Sequence, residues 1–263
     1  MDTVRLFFRL AGVSLRSQMQ HKASSIMLTL AFFLSTFVEI LGIWILFDRF
    51  KLIKGWSLPE VALLYGTIHM AFSAAEALAR GFDTFSIMVK QGDFDRVLLR
   101  PRGTLLQIAT SALQLMRIGR FLQGLIVLIW GYTTLGLGFY SYHWLVICMA
   151  FIGTFCLFYA LYIIQATLTF WMTESLELMN ITTYGGVQTA QYPLDIYSEG
   201  FRFIFTYILP FGCVIYFPIA SLLEHSNIPL WLGVISPLAG VAFLFAATQL
   251  WKVGVRHYTS VGS

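Results

Sequence analysis

Charge is what this chain most lacks. Only 11% of its 263 residues are Asp, Glu, Lys or Arg, against roughly 25% in a soluble domain. Water cannot solvate so apolar a chain on one compact surface, so the solvent must be lipid. The formal net charge of +4 is too small to point to nucleic acid, and it fits loops facing anionic lipid. Cysteine is scarce as well. Cys148 and Cys156 fall in one expected helix, about 12 Å apart at the helical rise, which is too far for a disulfide. Cys213 stands alone, and no pair has metal-ligand spacing, so all three read as packing residues and no metal site is expected.

Catalytic motifs are missing. GxxxxGK[ST], HExxH, GxSxG and CxxC do not occur, so ATP is not bound through a phosphate loop of this chain. The adjacent Glu224 and His225 are one pair in a loop, which is weak ground for an active site. The basic, amphipathic start is not the apolar core of a cleavable signal peptide.

Apolar and aromatic residues fill the space. Hydrophobic residues make up 58%, with 24 Phe, 7 Trp and 12 Tyr, rings that suit hydrocarbon and its interfaces alike. A spanning helix needs about 20 mainly apolar residues. Six stretches qualify: 24–47, 58–79, 105–138, 143–172, 201–222 and 229–251. The fold class is therefore all-α, a polytopic membrane protein of six spans. The third stretch is too long and carries Arg117 and Arg120. Its first turns, Thr104 to Met116, are expected at the interface, with the span following Arg120. Asp2 to Gln20 places Arg5, Arg9, Arg16 and Gln20 on one helical face, the pattern of an amphipathic helix lying on the membrane. This divides the chain into an interfacial helix (1–22) and a six-helix transmembrane domain (23–263).

Lys and Arg set the orientation. With the N-terminus inside, fourteen of the seventeen fall on the inner side and three, Arg49, Lys51 and Lys54, on the outer. Both termini are then cytoplasmic. The two inner loops run Arg80–Gly103 and Thr173–Gly200. The first mixes apolar residues with Asp93, Asp95, Arg96 and Arg100, which suits either docking of a soluble partner or packing at the interface. Gly92 breaks it, and Pro101 restricts Arg100 and can start the next helix.

Glu39 and Glu76 lie inside spans, where a carboxylate must face protein, pair or be protonated. Each reads either as a pathway or proton-relay group or as an internally paired one, and for Glu76 the partner at hand is Arg80, four residues on. Arg117 and Arg120 are expected to pair with acids such as Glu174 and Glu177. His69 reads as a hydrogen-bonded core histidine. Pro210 and Pro218 interrupt the fifth stretch, which is either a kinked helix or a span followed by a re-entrant hairpin on the outer side.

Four segments resemble a known family: FVEILGIWILFDRFKLIKGWSLPEVALLYG, GDFDRVLLRPRGTLLQI, YPLDIYSEGFRFIFTYILPFGCVIYFPIASLL and LWKVGVRHYTSVGS. In this order they resemble the permease subunits of bacterial ABC transporters of the type-two (ABC-2) exporter class, in a six-span branch. The resemblance implies a subunit of the bacterial cytoplasmic (inner) membrane with no catalysis of its own. It would pair with a second permease, identical or related, and with two cytoplasmic ABC ATPase subunits that bind ATP and Mg. It further implies an elbow helix at Asp2–Gln20 and an ATPase-coupling segment over 82–102, with Phe82, Phe85, Met88, Asp93, Asp95, Arg96, Arg100 and Pro101 as coupling residues. The expected function is export of an amphipathic or hydrophobic compound, such as a drug, lipid or peptide. The rivals are an ATP-independent secondary transporter or channel using Glu39 and Glu76, and a membrane enzyme acting on lipid, for which no cluster of His, Asp or Glu at one membrane face is present.

Overall fold

A computed structural model describes residue 12 and residues 22–138, 140–172 and 175–259, without the side chains of Ser141, 175–179 and Ser226. The expected amphipathic helix over Asp2–Gln20 lies outside the described residues, as does Glu174. The described chain is helical throughout. Its long helices are α1 (Lys22–Phe50), α2 (Leu58–Asp83), α6 (Ile118–Thr134), α7 (Ser141–Leu168), α8 (Ser175–Ala190) and α12 (Leu238–His257). Between α2 and α6 lie the short helices α3 (Phe85–Lys90), α4 (Phe94–Leu98) and α5 (Thr104–Ser111). Between α8 and α12 lie α9 (Glu199–Ile208), α10 (Gly212–Leu222) and α11 (Leu230–Ile235).

Helix α2 is the axis of the fold. Along it Val61, Leu64, Ile68, Phe72, Ala75 and Ala79 are fully buried. Ser57 and Glu60 open it with a capping box, which satisfies amide groups that hydrocarbon would leave unmet. Helix α6 lies close against it, and a Cβ on Gly66 would stand 2.7 Å from the Gly124 carbonyl oxygen. Gly153 and Gly240 play the same part where α7 crosses α12. Small residues at such crossings let backbones approach, which is what packing in lipid requires. Helix α1 is peripheral, with Met27, Leu30, Leu34, Val38 and Ile45 all exposed.

Two faces can be told apart by contact. One carries Trp56, in the tight connection after α1; the other carries Phe85. Helices α2 and α7 end on the Phe85 face, where Gln165 Nε2 donates to Asp83 Oδ1 at 3.1 Å. Helix α12 ends there too, and Trp251 Nε1 donates to Thr104 Oγ1 at 3.1 Å.

The third expected span divides as its two arginines suggest. Helix α5 ends at Ser111, residues 112–114 are extended or irregular, and a short turn at Leu115–Arg117 leads into α6. The span therefore already contains Arg117 and Arg120 rather than following them.

The fifth expected span is corrected. Asp195, ahead of α9, accepts a hydrogen bond from Trp56 Nε1 at 3.2 Å. His225, after α10, stacks on the same Trp56 ring at 4.4 Å. A segment whose two ends meet one residue does not cross. Helices α9 and α10 form a re-entrant unit on the Trp56 face, bent by 84° at Leu209–Pro210. Its tip reaches the middle of the fold, where Phe211 packs on Phe158. The crossing is made instead by α8, which leaves the Phe85 face after Phe170 and passes Glu76 and His69 in turn. Thr173–Gly200 is therefore not a loop on one side. Arg202, 3.9 Å from Asp195, joins the Trp56 face, so the basic count becomes thirteen against four. The asymmetry survives, and six crossings remain.

Candidate functional site

Two regions carry the polar chemistry. The first is the Phe85 face. Phe85 and Phe94 are fully buried and meet edge to face at 5.0 Å. Trp251 of α12 stands 5.1 Å from Phe85 and 5.7 Å from Phe82, and Phe170 stands 5.4 Å from Phe85. Tyr258 meets Phe94 at 4.9 Å and lies near Asp95. Burial and the neighbouring Asp95 carboxylate raise the Tyr258 hydroxyl above its ordinary pKa. Each aromatic pair contributes about 0.5–1.5 kcal/mol beyond burial, so α3 and α4 are rigidly attached to the ends of α2, α7 and α12. Their other side is open. Ile87 is exposed, as are Lys90, Leu98, Arg100 and Pro101, and Leu99 is 85% exposed. Arg96, with its side chain 81% exposed, makes only an ion pair of 3.4 Å with Asp93.

The second region lies at membrane depth among α1, α2, α6 and α8. Glu76 Oε1 receives Arg117 at 2.8 Å and the Tyr184 hydroxyl at 2.7 Å, and Arg120 stands 3.7 Å from Oε2. Arg117 also lies over the Phe32 ring at 4.1 Å and Arg120 over Phe72 at 5.2 Å. One turn and more away along α2, His69 Nε2 lies 3.2 Å from Gln191 Oε1 and 3.7 Å from Glu39 Oε2. Tyr65 stacks on His69 at 4.0 Å and donates to the Thr36 carbonyl at 2.7 Å. Among the described residues no group of three or more His, Cys, Asp or Glu is placed to hold a metal ion.

A family model described as an ABC-2 family transporter protein matches residues 33–262, from within α1 to the C-terminal end. The chain belongs to the ABC-2 transporter family. No curated protein and no solved structure is a significant match. The match takes in all six crossings and the re-entrant pair of this ABC-2 chain, a multi-pass membrane protein.

The expected site residues of the ABC-2 chain separate into groups. Phe82, Phe85 and, in part, Met88 face inward and root the short helices. Asp93, Arg96, Arg100 and Pro101 face outward. Asp95 is half-buried and turned to Tyr258. Gly92 takes a positive φ of 74° and makes the break between α3 and α4. Pro101 does not begin α5; that helix starts at Thr104 after Gly103. Pro210 sits buried at the bend between α9 and α10, and Pro218 lies in the first turn of the Phe217–Leu222 segment.

Two pairings differ from expectation. Arg117 and Arg120 meet Glu76, 41 and 44 positions away in sequence; Glu174 and the side chain of Glu177 lie outside the described residues. Arg80 pairs with Asp83 rather than Glu76. Three and four residues are both one helical turn, so sequence spacing alone could not choose between these acids. Sequence reasoning missed the Trp56 cluster altogether. Asp195 Oδ2 also accepts from Tyr216 at 2.6 Å, and His225 Nε2 stands 3.0 Å from Glu60 Oε1. The available signal was an acid and a histidine flanking an apolar stretch interrupted by proline.

Proposed function

We propose that this chain is the permease subunit of an ATP-driven exporter of the bacterial cytoplasmic membrane. It supplies half of a pathway for an amphipathic or hydrophobic compound. A second permease, the same or related, supplies the other half, and two ABC ATPase subunits bind ATP and drive the cycle. The Phe85 face is then cytoplasmic, in keeping with its share of Lys and Arg.

The observation that carries this reading is the build of α3 and α4. A motor can drive a permease only if its nucleotide states act differently on the element they touch. That element must be stiff on the permease side and accessible on the motor side. Phe82, Phe85 and Phe94 supply the stiffness; Ile87, Arg96, Leu98, Leu99 and Arg100 supply the accessible surface. An ATP-independent transporter working through Glu76 would need that carboxylate to take up and release its ion, yet Arg117 and Tyr184 already hydrogen-bond it and Arg120 stands 3.7 Å away.

The test is reconstitution with a cognate ABC ATPase. Arg96→Glu should leave the permease in the membrane and correctly folded. It should weaken ATPase association about tenfold, as expected for loss of a charge-assisted contact, and abolish ATP-dependent transport. Unchanged association and transport would remove α4 from the coupling role. Arg96 is the cleaner probe than Asp95, whose reversal would also disturb Tyr258.

A further inference from the structure

Glu39 differs from Glu76, the other described carboxylate at membrane depth, in being open. Its side chain is 29% exposed. It lies on α1 with Ser35 one turn earlier, also exposed. Beside it runs α8, whose Asn180, Tyr184 and Gln188 are exposed and fall on one helical face. The Gln188 side chain lies close enough to Glu39 to act on its carboxylate, which brings the two stripes together as one seam. Between its polar ends at Lys22, Ser24, Asp48 and Arg49, the exposed surface of α1 is otherwise apolar, as lipid requires. Polar side chains at this depth are tolerated where they line a cavity or meet protein, not where they meet acyl chains.

The seam also has unmet capacity. Glu39 Oε2 has no hydrogen-bond partner. His69, 1% exposed, holds Gln191 with Nε2, and its Nδ1 has no partner. The arginines of α6 do not fill the gap. Glu76 engages both, and Arg120, near enough to act on Glu39 through space, remains buried behind it over Phe72. A cation arriving along the seam would meet an acceptor oxygen at Glu39 and the ring of Tyr184, a suitable face for cation–π contact. An anion would meet the Glu39 carboxylate first.

We propose that the seam between α1 and α8 is a wall of the translocation path and that Glu39 is its recognition point for the cationic head of an amphipathic compound. The proposal rests on the permease reading above and names the class of compound that such a permease would take.

The experiment uses the purified full-length chain in nanodiscs, without the ATPase, and two probes of like shape and opposite charge: tetraphenylphosphonium and tetraphenylborate. Phosphonium should bind the wild type saturably and at least about tenfold more tightly than Glu39→Gln, the change expected on loss of one close charge pair. Glu39→Asp should recover part of the affinity. Borate binding should be weak and the same in all three. Equal phosphonium affinity in wild type and Glu39→Gln overturns the proposal, as does borate binding of the same strength. If Glu39→Gln is not monodisperse, Gln188→Ala decides: it should weaken phosphonium binding several-fold, and no change overturns the proposal. Failure of the motor reading is separate. Phosphonium binding without any ATPase association would sink the exporter and leave the site, whereas ATPase-coupled transport without phosphonium binding would sink the site alone.

Discussion

Glu76 and Glu39 occupy the same membrane and lead opposite lives. Glu76 is buried from every side by α2, α6 and α8, with two guanidinium groups and a phenol on its oxygens. Glu39 stands on the peripheral helix with part of its side chain open; Oε2 accepts no hydrogen bond in either acid, but at Glu76 it faces the Arg120 guanidinium at 3.7 Å. Bringing a carboxylate from water costs more at buried Glu76 than at Glu39, whose side chain stays partly open, and the way that cost is met differs as well. At Glu76 the fold meets it permanently, so the group is structural. At Glu39 the fold meets it in part, which leaves interaction energy for something that comes and goes.

The sharpest break of this contrast is removal of Glu76. Glu76→Leu would leave Arg117 and Arg120 buried with no counter-charge. Stripping one partner from a buried ion pair costs about 3–5 kcal/mol, a large share of the total stability of a domain. The expected outcome is loss of monodisperse protein on extraction, or a thermal midpoint many degrees lower. A variant that purifies and melts like the wild type would show that the cluster is hydrated and open, and the contrast would collapse.

An intermediate effect belongs to the Trp56 cluster, which holds both ends of the re-entrant pair. His225→Ala removes the stacked ring and the contact to Glu60. Hydrogen bonds to charged groups contribute about 1.5–3 kcal/mol, discounted here because His225 and Glu60 are partly exposed, so a loss of about 1 kcal/mol is expected. The pair α9–α10 should become more accessible while the helices around Glu76 do not. Hydrogen exchange, or labelling of a cysteine introduced at Tyr207, would read this difference. Uniform loosening of the whole chain would mean that the cluster supports the bundle rather than the hairpin.

These regions also show what the sequence could and could not tell. Helices α1, α2, α7 and α12 were legible because they are long and apolar, and lipid or a neighbouring apolar helix meets most of their surface. Helix α8 was not. Asn180, Tyr184 and Gln188 face the seam and dilute its hydropathy, so Thr173–Gly200 reads as a loop. The re-entrant pair misled in the other sense. Ile204, Phe205, Val214, Ile215 and Ile219 make it as apolar as a span, yet several of them are buried in protein. Periodicity cannot distinguish a helix that passes through a bundle from one that enters and returns; only the shared contact at Trp56 does. Pro210 was the local hint, since it ends one helix arm and begins the other. At the site, Phe85 and Phe94 were legible as apolar anchors, but that they root α3 and α4 inward depends on Trp251 and Tyr258, more than 150 positions away. The pairing of Glu76 likewise follows from the register of α2 against α6, which Gly66 and Gly124 set.

The smallest stability effect should fall at Glu39 itself, and it is the most discriminating. Glu39→Gln keeps the shape and the contact with Gln188 while removing the charge. If the carboxylate were a structural partner of His69, its loss would resemble that of a buried pair. The separation of 3.7 Å exceeds a hydrogen bond, and Nε2 is already committed to Gln191. The expected shift is therefore within about 1 kcal/mol of the wild type in either direction, since relieving an unmet charge offsets what the weak contact supplies. Glu76→Gln, the matched change at the closed site, should cost more, because Arg117 and Arg120 lose the carboxylate they pair with among the described residues. Measuring both isosteres by thermal unfolding in the same lipid tests the comparison directly. Equal losses would make the two acids one continuous structural network, whereas a large loss at Glu76 and almost none at Glu39 is what a fixed core beside a working surface requires.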